Sequence, residues 1–306
     1  MRETTWIFNR SAAQGRFELT DRDRLDLLHR MSTNNVNALK PGEGVSTVLT
    51  TALARIIDRV IVYNRGETAL MIANRPSTVH EWLRKHIFFQ DKVKIVNISP
   101  NTEQFEIHGS QADEIAEGIA TGAAKLPLHH FLVAEASGHL IAKTYPLTDY
   151  SGYMVIGHLD NHSVPGIQEG DDAKYEQLRI LAGMPAAGHE LTEDYIPLEA
   201  GLWDSVSFSK GCYIGQEIIA RMESRNKLAK TLVALRLDQS AEMGSAVQSG
   251  DETIGTVTSI TPLDDGMYAA LAFVKPAFAA PETIISINAA PARVAPAPLI
   301  YTRTGI

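Results

Sequence analysis

The chain has almost no cysteine. Its 306 residues contain one, Cys212, so no disulfide can form within it. This composition favours a reducing compartment, and we expect a cytoplasmic protein. The N-terminal stretch MRETTWIFNRSAAQGRF lacks the apolar core of a secretory signal. No run approaches the roughly 18 apolar residues that cross a bilayer, which argues against a membrane protein.

Several motifs of common enzyme chemistry are missing as well. The sequence contains no P-loop, no G-x-G-x-x-G and no G-x-S-x-G. Its 10 histidines are scattered without the spacing of a zinc site, so we predict no metal ligands. The formal net charge of -8 disfavours direct nucleic-acid binding, because such binding depends on neutralising phosphates.

Hydrophobic periodicity predicts alternating helices and strands up to about residue 225. A hairpin is predicted over 55–74, where two strands rich in Ile and Val flank the turn NRGE. Three helices are predicted to begin at capping boxes, formed by Thr20 with Asp23, Thr78 with Glu81, and Ser110 with Asp113.

After residue 226 the pattern changes to short strands separated by turns. The segments 231–237, 268–274 and 283–287 are examples, and they predict a small β-barrel. We therefore predict an α+β fold with one domain over 1–225 and a C-terminal β-barrel domain over 226–306.

The single cysteine lies in KGCYIGQE, residues 210–217. Apolar residues at helical spacing follow, so a helix is predicted to begin near Gly215 or Gln216. The partial positive charge of a helix N-terminus and the nearby Lys210 would both favour a thiolate at Cys212. The pattern indicates a reactive thiol or a contact to a soft metal. The alternative is a small buried hydrophobic residue in a tight turn.

The predicted helix carries charged side chains along one face. Glu217 and Arg221 are four residues apart, in the order that favours an ion pair. Arg221, Arg225 and Lys227 would alternatively hold an anion such as a carboxylate tail. The spacing alone favours the exposed helix face.

Asp58 interrupts an apolar strand, ARIIDRVIVY. The carboxylate either lies in solvent and pairs with Arg55 or Arg59, or points into a pocket and binds a polar ligand. Strand alternation places Asp58 on the side of Ile56 and Val60, and this apolar face favours the pocket.

The segment KGCYIGQE resembles the signature K-G-C-[FY]-x-G-Q-E of the YgfZ family of folate-binding proteins. That family is related to the aminomethyltransferase (T-protein, GcvT) of the glycine cleavage system. The segment RILAGMP, residues 179–185, resembles the R-x-x-A-G-x-P segment of the same family, and the similarity extends over nearly the whole chain. The resemblance implies a folate-binding domain built from ferredoxin-like halves, followed by a β-barrel.

The same resemblance implies tetrahydrofolate or a derivative as ligand, and a role in assembling or repairing iron–sulfur clusters. The implied partners are iron–sulfur proteins or their assembly machinery, with an indirect effect on tRNA thiomodification. Cys212 and Asp58 are the implied catalytic residues. The residues implied to bind folate or to shape its loop are Lys210, Gly211, Tyr213, Gly215, Gln216, Glu217, Glu199 and Arg221.

Two positions depart from the T-protein pattern. T-proteins have G-G-I-x-D-D, and Asp58 falls on the first aspartate while Arg59 replaces the second. The glutamate of their R-L-E-A-G segment contacts the pteridine, and Leu181 occupies that place here. Leucine cannot accept the N–H groups of the ring, so Glu199 or Glu190 would have to supply a carboxylate.

Two further functions therefore stay open at the level of sequence. One is a folate-dependent aminomethyltransferase, which Asp58 favours and Leu181 disfavours. The other is a module that binds tRNA or a protein through the basic residues of 221–230. Whether the chain is transferase-like or non-enzymatic also stays open.

Overall fold

The computed structural model describes residues 4–159, 166–225 and 227–295. They fall into two compact units. The first comprises Met1–Thr51, Ile57–Asp172 and Ser205–Ile214, and the second comprises Ala52–Ile56, Ala173–Asp204 and Gly215–Ile306. The division of domains at residues 225 and 226 stays a prediction.

The α-helices of the described residues are α1 (Arg24–Met31), α2 (Pro76–Lys85), α3 (Ala112–Ile119), α4 (Asp172–Leu181) and α5 (Gln216–Arg225). The strands before α4 are β1 (Thr5–Asn9), β2 (Gly15–Thr20), β3 (Gly44–Thr50), β4 (Ile56–Asn64), β5 (Ala69–Ala73), β6 (Lys94–Asn97), β7 (Gln104–His108), β8 (Phe131–Val133), β9 (Leu140–Thr144), β10 (Gly152–Ile156) and β11 (Ile167–Glu169). Those after α5 are β12 (Thr231–Leu237), β13 (Ala246–Ser249), β14 (Glu252–Pro262), β15 (Tyr268–Val274), β16 (Ile284–Ile287) and β17 (Ala290–Val294).

The first unit contains two sheets. One has five strands in the order β3-β4-β5-β2-β6, and the other has six in the order β11-β1-β7-β10-β9-β8. The pairing of β1 with β11 is parallel, whereas β2 pairs with both its neighbours in antiparallel fashion. The unit is thus a mixed α+β structure, as predicted.

Strand β4 is buried on both of its faces. Val60 and Val62 belong to a core cluster that includes α1 and α2. Ile61 and Tyr63 belong to a second cluster, which includes Phe131 of the six-stranded sheet. A strand covered on both faces carries an apolar run in place of simple alternation. Strand β4 pairs with β5 in antiparallel fashion, which confirms the hairpin predicted over 55–74.

The second unit contains a closed barrel in the order β12-β15-β14-β13-β16-β17. Apolar residues that alternate along its strands, among them Val233 and Leu235, form its core. The predicted strands 231–237 and 268–274 coincide with β12 and β15. None of the described helices is both long and apolar enough to cross a membrane.

The three predicted capping boxes are wrong, because no side-chain cap forms at the start of α1, α2 or α3. At α2 and α3, bonds from distant strands act in their place. Helix α2 begins at Pro76, and the backbone N–H groups of Asn74 and Arg75 donate to the carboxylate of Asp58 on β4. Helix α3 begins at Ala112, where Gln111 N donates to Thr5 Oγ1. Helix α1 begins at Arg24, without a side-chain cap.

Candidate functional site: the Cys212 loop

Cys212 is exposed. The alternative interpretation, in which it is a small buried hydrophobic residue, is therefore wrong. The residues on either side of the 211–212 pair behave differently: Lys210 is 8% exposed and Tyr213 is 9% exposed. Gly211 is exposed, and a side chain at that position would meet open space. The loop of residues 210–213 therefore exposes Cys212 between two buried side chains.

Lys210 fixes one end of this loop. Its ammonium group donates to the main-chain oxygens of His29, Ser32 and Asn34, the last two at 2.8 Å. These carbonyls lie at and just beyond the C-terminal end of α1, where a cation is favourable. The Nζ atom also lies 5.0 Å from the centre of the Tyr213 ring.

The role of Lys210 differs from the one suggested by sequence. All three N–H donors of its ammonium group are directed at backbone oxygens, so this lysine anchors the loop. Burial lowers its pKa to about 8. Burial also raises the pKa of Tyr213 to about 12.

Three hydroxyl side chains of the first unit bond to the two ends of the segment 205–214, which contains this loop. Thr33 Oγ1 donates to Ser205 O at 2.6 Å, and Thr50 Oγ1 donates to Ile214 O at 2.7 Å. Ser46 Oγ and Ser205 Oγ share a hydrogen bond of 2.8 Å. Sequence reasoning missed these anchors, since their partners lie about 160 to 170 positions away along the chain.

Asp58 is fully buried on β4. Its Oδ2 accepts hydrogen bonds from Asn74 N at 2.8 Å and Arg75 N at 2.9 Å, and its Oδ1 accepts one from Asn74 Nδ2 at 3.1 Å. Burial raises its pKa to about 6, against the opposing effect of these bonds and of the Arg59 charge. A carboxyl group that titrates near neutrality is suited to proton transfer.

Glu190 and Glu199, the two carboxylates proposed to replace the glutamate that is missing at position 181, have different surroundings in the second unit. Glu190 is fully buried and bonded to Arg179 Nη1 at 3.1 Å, to Ser259 Oγ at 2.7 Å and to Thr258 Oγ1 at 2.6 Å. These bonds occupy both of its oxygens. Glu190 is therefore a structural residue, because its carboxylate is committed to the buried Arg179 guanidinium.

Glu199 is 4% exposed and accepts a bond from Ile196 N at 3.2 Å. Burial raises its pKa, although the charges of Arg55 and Lys230 act in the opposite direction. Leu181, in contrast, is 41% exposed at the C-terminal end of α4. Of the two candidate carboxylates, Glu199 is the one bonded to backbone groups, of Ile196 and Lys230, in place of a buried guanidinium.

The remaining predicted residues lie at the start of α5 in the second unit. Gly215 has φ 84°, a conformation that favours glycine, and the helix begins at Gln216 as predicted. Glu217 and Arg221 form the predicted ion pair at 2.7 Å, with both side chains exposed. Within the described part of the chain, no group of three or more His, Cys, Asp or Glu side chains could hold a metal ion.

Comparisons with known proteins identify the relatives of this chain. The family model GCVT N-terminal domain matches residues 1–142. A protein of Arabidopsis thaliana, named as a candidate chloroplastic transferase, is 31% identical over 282 residues, which cover 85% of this chain and 63% of that protein. The chain thus spans less than two thirds of the length of that relative.

Bacterial aminomethyltransferases are similar as well. That of Alkaliphilus oremlandii is 27% identical over 281 residues, covering 85% of this chain and 75% of the enzyme. That of Symbiobacterium thermophilum is 27% identical over 330 residues, covering 97% and 87%.

A solved structure shows the fold. The glycine cleavage system aminomethyltransferase T from Bartonella henselae matches with a TM-score of 0.84 and 17% identity, over 99% of this chain and 88% of that one. Residues 1–142 are thus similar to the GCVT N-terminal domain, and the chain adopts the fold of the aminomethyltransferase T.

Proposed function

We propose that this protein binds tetrahydrofolate or a derivative and, as in the YgfZ family, supports the assembly or repair of iron–sulfur clusters through Cys212. The observation that carries the proposal is the exposed thiol on a loop anchored by Lys210. A thiolate is a soft ligand suited to iron of a cluster, which here is cargo of the protein. We place this activity in the cytoplasm, with iron–sulfur proteins or their assembly machinery as partners and any effect on tRNA thiomodification indirect.

The folate part of the proposal rests on the aminomethyltransferase fold and on Asp58. This residue matches the first aspartate of the T-protein segment, and it carries a carboxyl group with a pKa of about 6. Glu199 is the carboxylate we propose for the ring N–H groups of the ligand, because Leu181 cannot accept them. Calorimetric titration with tetrahydrofolate tests this part, and an absence of binding would overturn it.

The cluster part is tested by complementation. Cells that lack the native protein are supplied with the wild type, with Cys212→Ala, or with the neighbouring control Ser209→Ala. We expect the activity of an iron–sulfur-dependent enzyme to be restored by the wild type and by the control only. Full rescue by Cys212→Ala would remove the proposed role of the thiol.

A second candidate is an aminomethyltransferase of the glycine cleavage type. The names of the bacterial relatives and the pKa of Asp58 favour it. Incubation with aminomethylated lipoyl carrier and tetrahydrofolate distinguishes the two candidates. Release of ammonia together with methylene-tetrahydrofolate would establish this reaction, and its absence alongside a Cys212-dependent effect in cells would support the first proposal.

A further inference from the structure

Strand β6 lies at an edge of the five-stranded sheet. Among the described residues it pairs with β2 on one side only. The hydrogen bond from Ile98 N to Arg16 O, 2.9 Å long, shows which residues of β6 direct their backbone groups towards β2. Because bonded and non-bonded pairs alternate, Ile95 and Asn97 direct their backbone N–H and C=O groups away from β2. The outer side of β6 thus offers an unpaired strand edge.

The turn before β6 presents two aromatic side chains. Phe89 is 100% exposed and Phe88 is 57% exposed. Apolar rings of this size are ordinarily buried, and full exposure on a fixed turn is a feature of interaction surfaces. Val96, on β6 itself, adds a side chain that is 50% exposed.

This turn is held in place by specific bonds. Phe88 N donates to Asp91 Oδ2 at 2.7 Å, and Asp91 N donates to Phe88 O at 3.0 Å. Arg30 of α1 pairs with the same carboxylate, with Nη1 at 3.2 Å from Oδ1. Lys92 N donates to Asp23 Oδ2 at 2.8 Å. A fixed turn presents its exposed ring with little loss of conformational freedom on binding.

The charge around the turn is opposite in sign to that of the whole chain. Arg84, Lys85, Lys92 and Lys94 are all exposed in or near it. Of the carboxylates in the same stretch, Asp91 is already paired with Arg30. The chain as a whole has a formal net charge of -8. This concentration of positive charge selects a partner of negative charge.

We propose that the β6 edge and the Phe88–Asp91 turn bind an extended acidic segment of a partner protein, which adds as a strand to β6. The backbone groups of Ile95 and Asn97 bond to the added strand, and Lys92 and Lys94 face its carboxylates. Phe89 contacts an apolar side chain of the same segment. Strand addition of this kind takes its affinity from main-chain bonds and its specificity from side chains.

Two other occupants fit these observations less well. In a second copy of this chain, paired edge to edge, Lys92 and Lys94 of both copies would come together, and like charges across strands are destabilising. Lysine on an edge strand in fact deters pairing with neutral or basic strands. RNA would use the lysines and the rings, but the outward-facing strand backbone is a template for another polypeptide strand.

A peptide selection tests the proposal with the whole chain of 306 residues. Random dodecapeptides displayed on phage are selected against the wild type and depleted on Phe89→Ser. We expect enrichment of sequences that combine Asp or Glu with apolar residues in alternation. The best peptide, made synthetically, should lose more than about tenfold in affinity with Phe89→Ser and with the double variant Lys92→Glu, Lys94→Glu, as expected for central contacts. Met243→Ser, at another exposed apolar position in the second unit, is the matched control and should bind normally.

Amide hydrogen exchange separates strand addition from simple side-chain contact. The amides of Ile95 and Asn97 should be protected by the peptide by more than about tenfold, while the inward-facing amide of Val96 should change little. Thermal unfolding of each variant confirms that it is folded.

Other results would overturn the proposal. These are selection of basic or neutral peptides only, no enrichment over Phe89→Ser, or unchanged exchange at Ile95 and Asn97. Dimerisation in ultracentrifugation that Phe89→Ser abolishes would assign the surface to a second copy. Binding of polyuridylate or of phosphatidylglycerol vesicles that depends on Phe89, without binding of acidic peptides, would assign it to RNA or to lipid. None of these outcomes depends on Cys212 or on folate.

Discussion

Arg179 of α4 and Glu190 form a buried ion pair in the second unit. Arg179 Nη1 lies 3.1 Å from Glu190 Oε2, and the two side chains are 2% and 0% exposed. Ser259 Oγ bonds to both residues, at 2.7 Å from each. Through Ser259, this ion pair joins α4 to β14 of the barrel. Because its carboxylate is committed to the pair, Glu190 is no longer a candidate for binding a ligand.

The first prediction concerns this pair. Glu190→Ala removes one of the two carboxylates that pair with the buried Arg179 guanidinium, Glu176 being the other, and leaves Thr258 and Ser259 without this acceptor. We expect the free energy of unfolding to fall by about 1–3 kcal/mol. Glu193→Ala, at an exposed position three residues away, is the control and should change it by less than about 0.5 kcal/mol. Chemical denaturation measures both. Equal effects of the two substitutions would contradict a structural role of Glu190.

The second prediction concerns the anchor of the Cys212 loop. Lys210→Met removes the donor for the carbonyls of His29, Ser32 and Asn34, and leaves these oxygens without that partner. We expect a loss of about 1–3 kcal/mol in the free energy of unfolding, together with faster amide exchange over residues 209–214. Lys227→Met, at an exposed lysine, is the control. Unchanged exchange in Lys210→Met would show that the hydroxyl anchors suffice.

The third prediction concerns pH. Burial raises the pKa of Asp58 in the folded chain to about 6, above its usual 3.8. Between these values the folded state binds the proton more tightly than the unfolded state, so stability falls as the pH rises from about 4 to about 6. Relative to Asp58→Asn, which does not titrate, the wild type should lose about 3 kcal/mol across this window. Denaturation at a series of pH values measures both stabilities, and a wild type that gains stability relative to Asp58→Asn as the pH rises would contradict the raised pKa of this carboxyl.

The fourth prediction concerns the position where the T-protein has glutamate. Leu181 is 41% exposed, so Leu181→Glu should change the free energy of unfolding by less than about 0.5 kcal/mol. If folate binds as proposed, the added carboxylate should also tighten the binding of tetrahydrofolate, because it accepts ring N–H groups. Titration of the wild type and the variant compares the two affinities. Weaker binding by a stable Leu181→Glu variant would place this position outside the ligand site.

Much of the fold could be predicted because local patterns and core packing agree. Strand β12 and strand β15 coincide with predicted segments, since their alternating apolar residues meet the barrel core. The helix beginning at Gln216 and the ion pair of Glu217 with Arg221 depend only on local spacing. The starts of α2 and α3 could not be predicted, because Asp58 and Thr5 bond to Arg75 and Gln111 from distant strands.

The sequence by itself determined the hairpin over 55–74, the barrel strands and the place of the only thiol, because these follow from residue spacing within short segments. Tertiary structure alone decided what the buried polar residues do. It buried Asp58 against the start of α2, closed Glu190 into a bond with Arg179, and directed Lys210 to the end of α1. The physical reason is that a buried polar group must find its partner wherever the fold provides one, and that partner is rarely close in sequence.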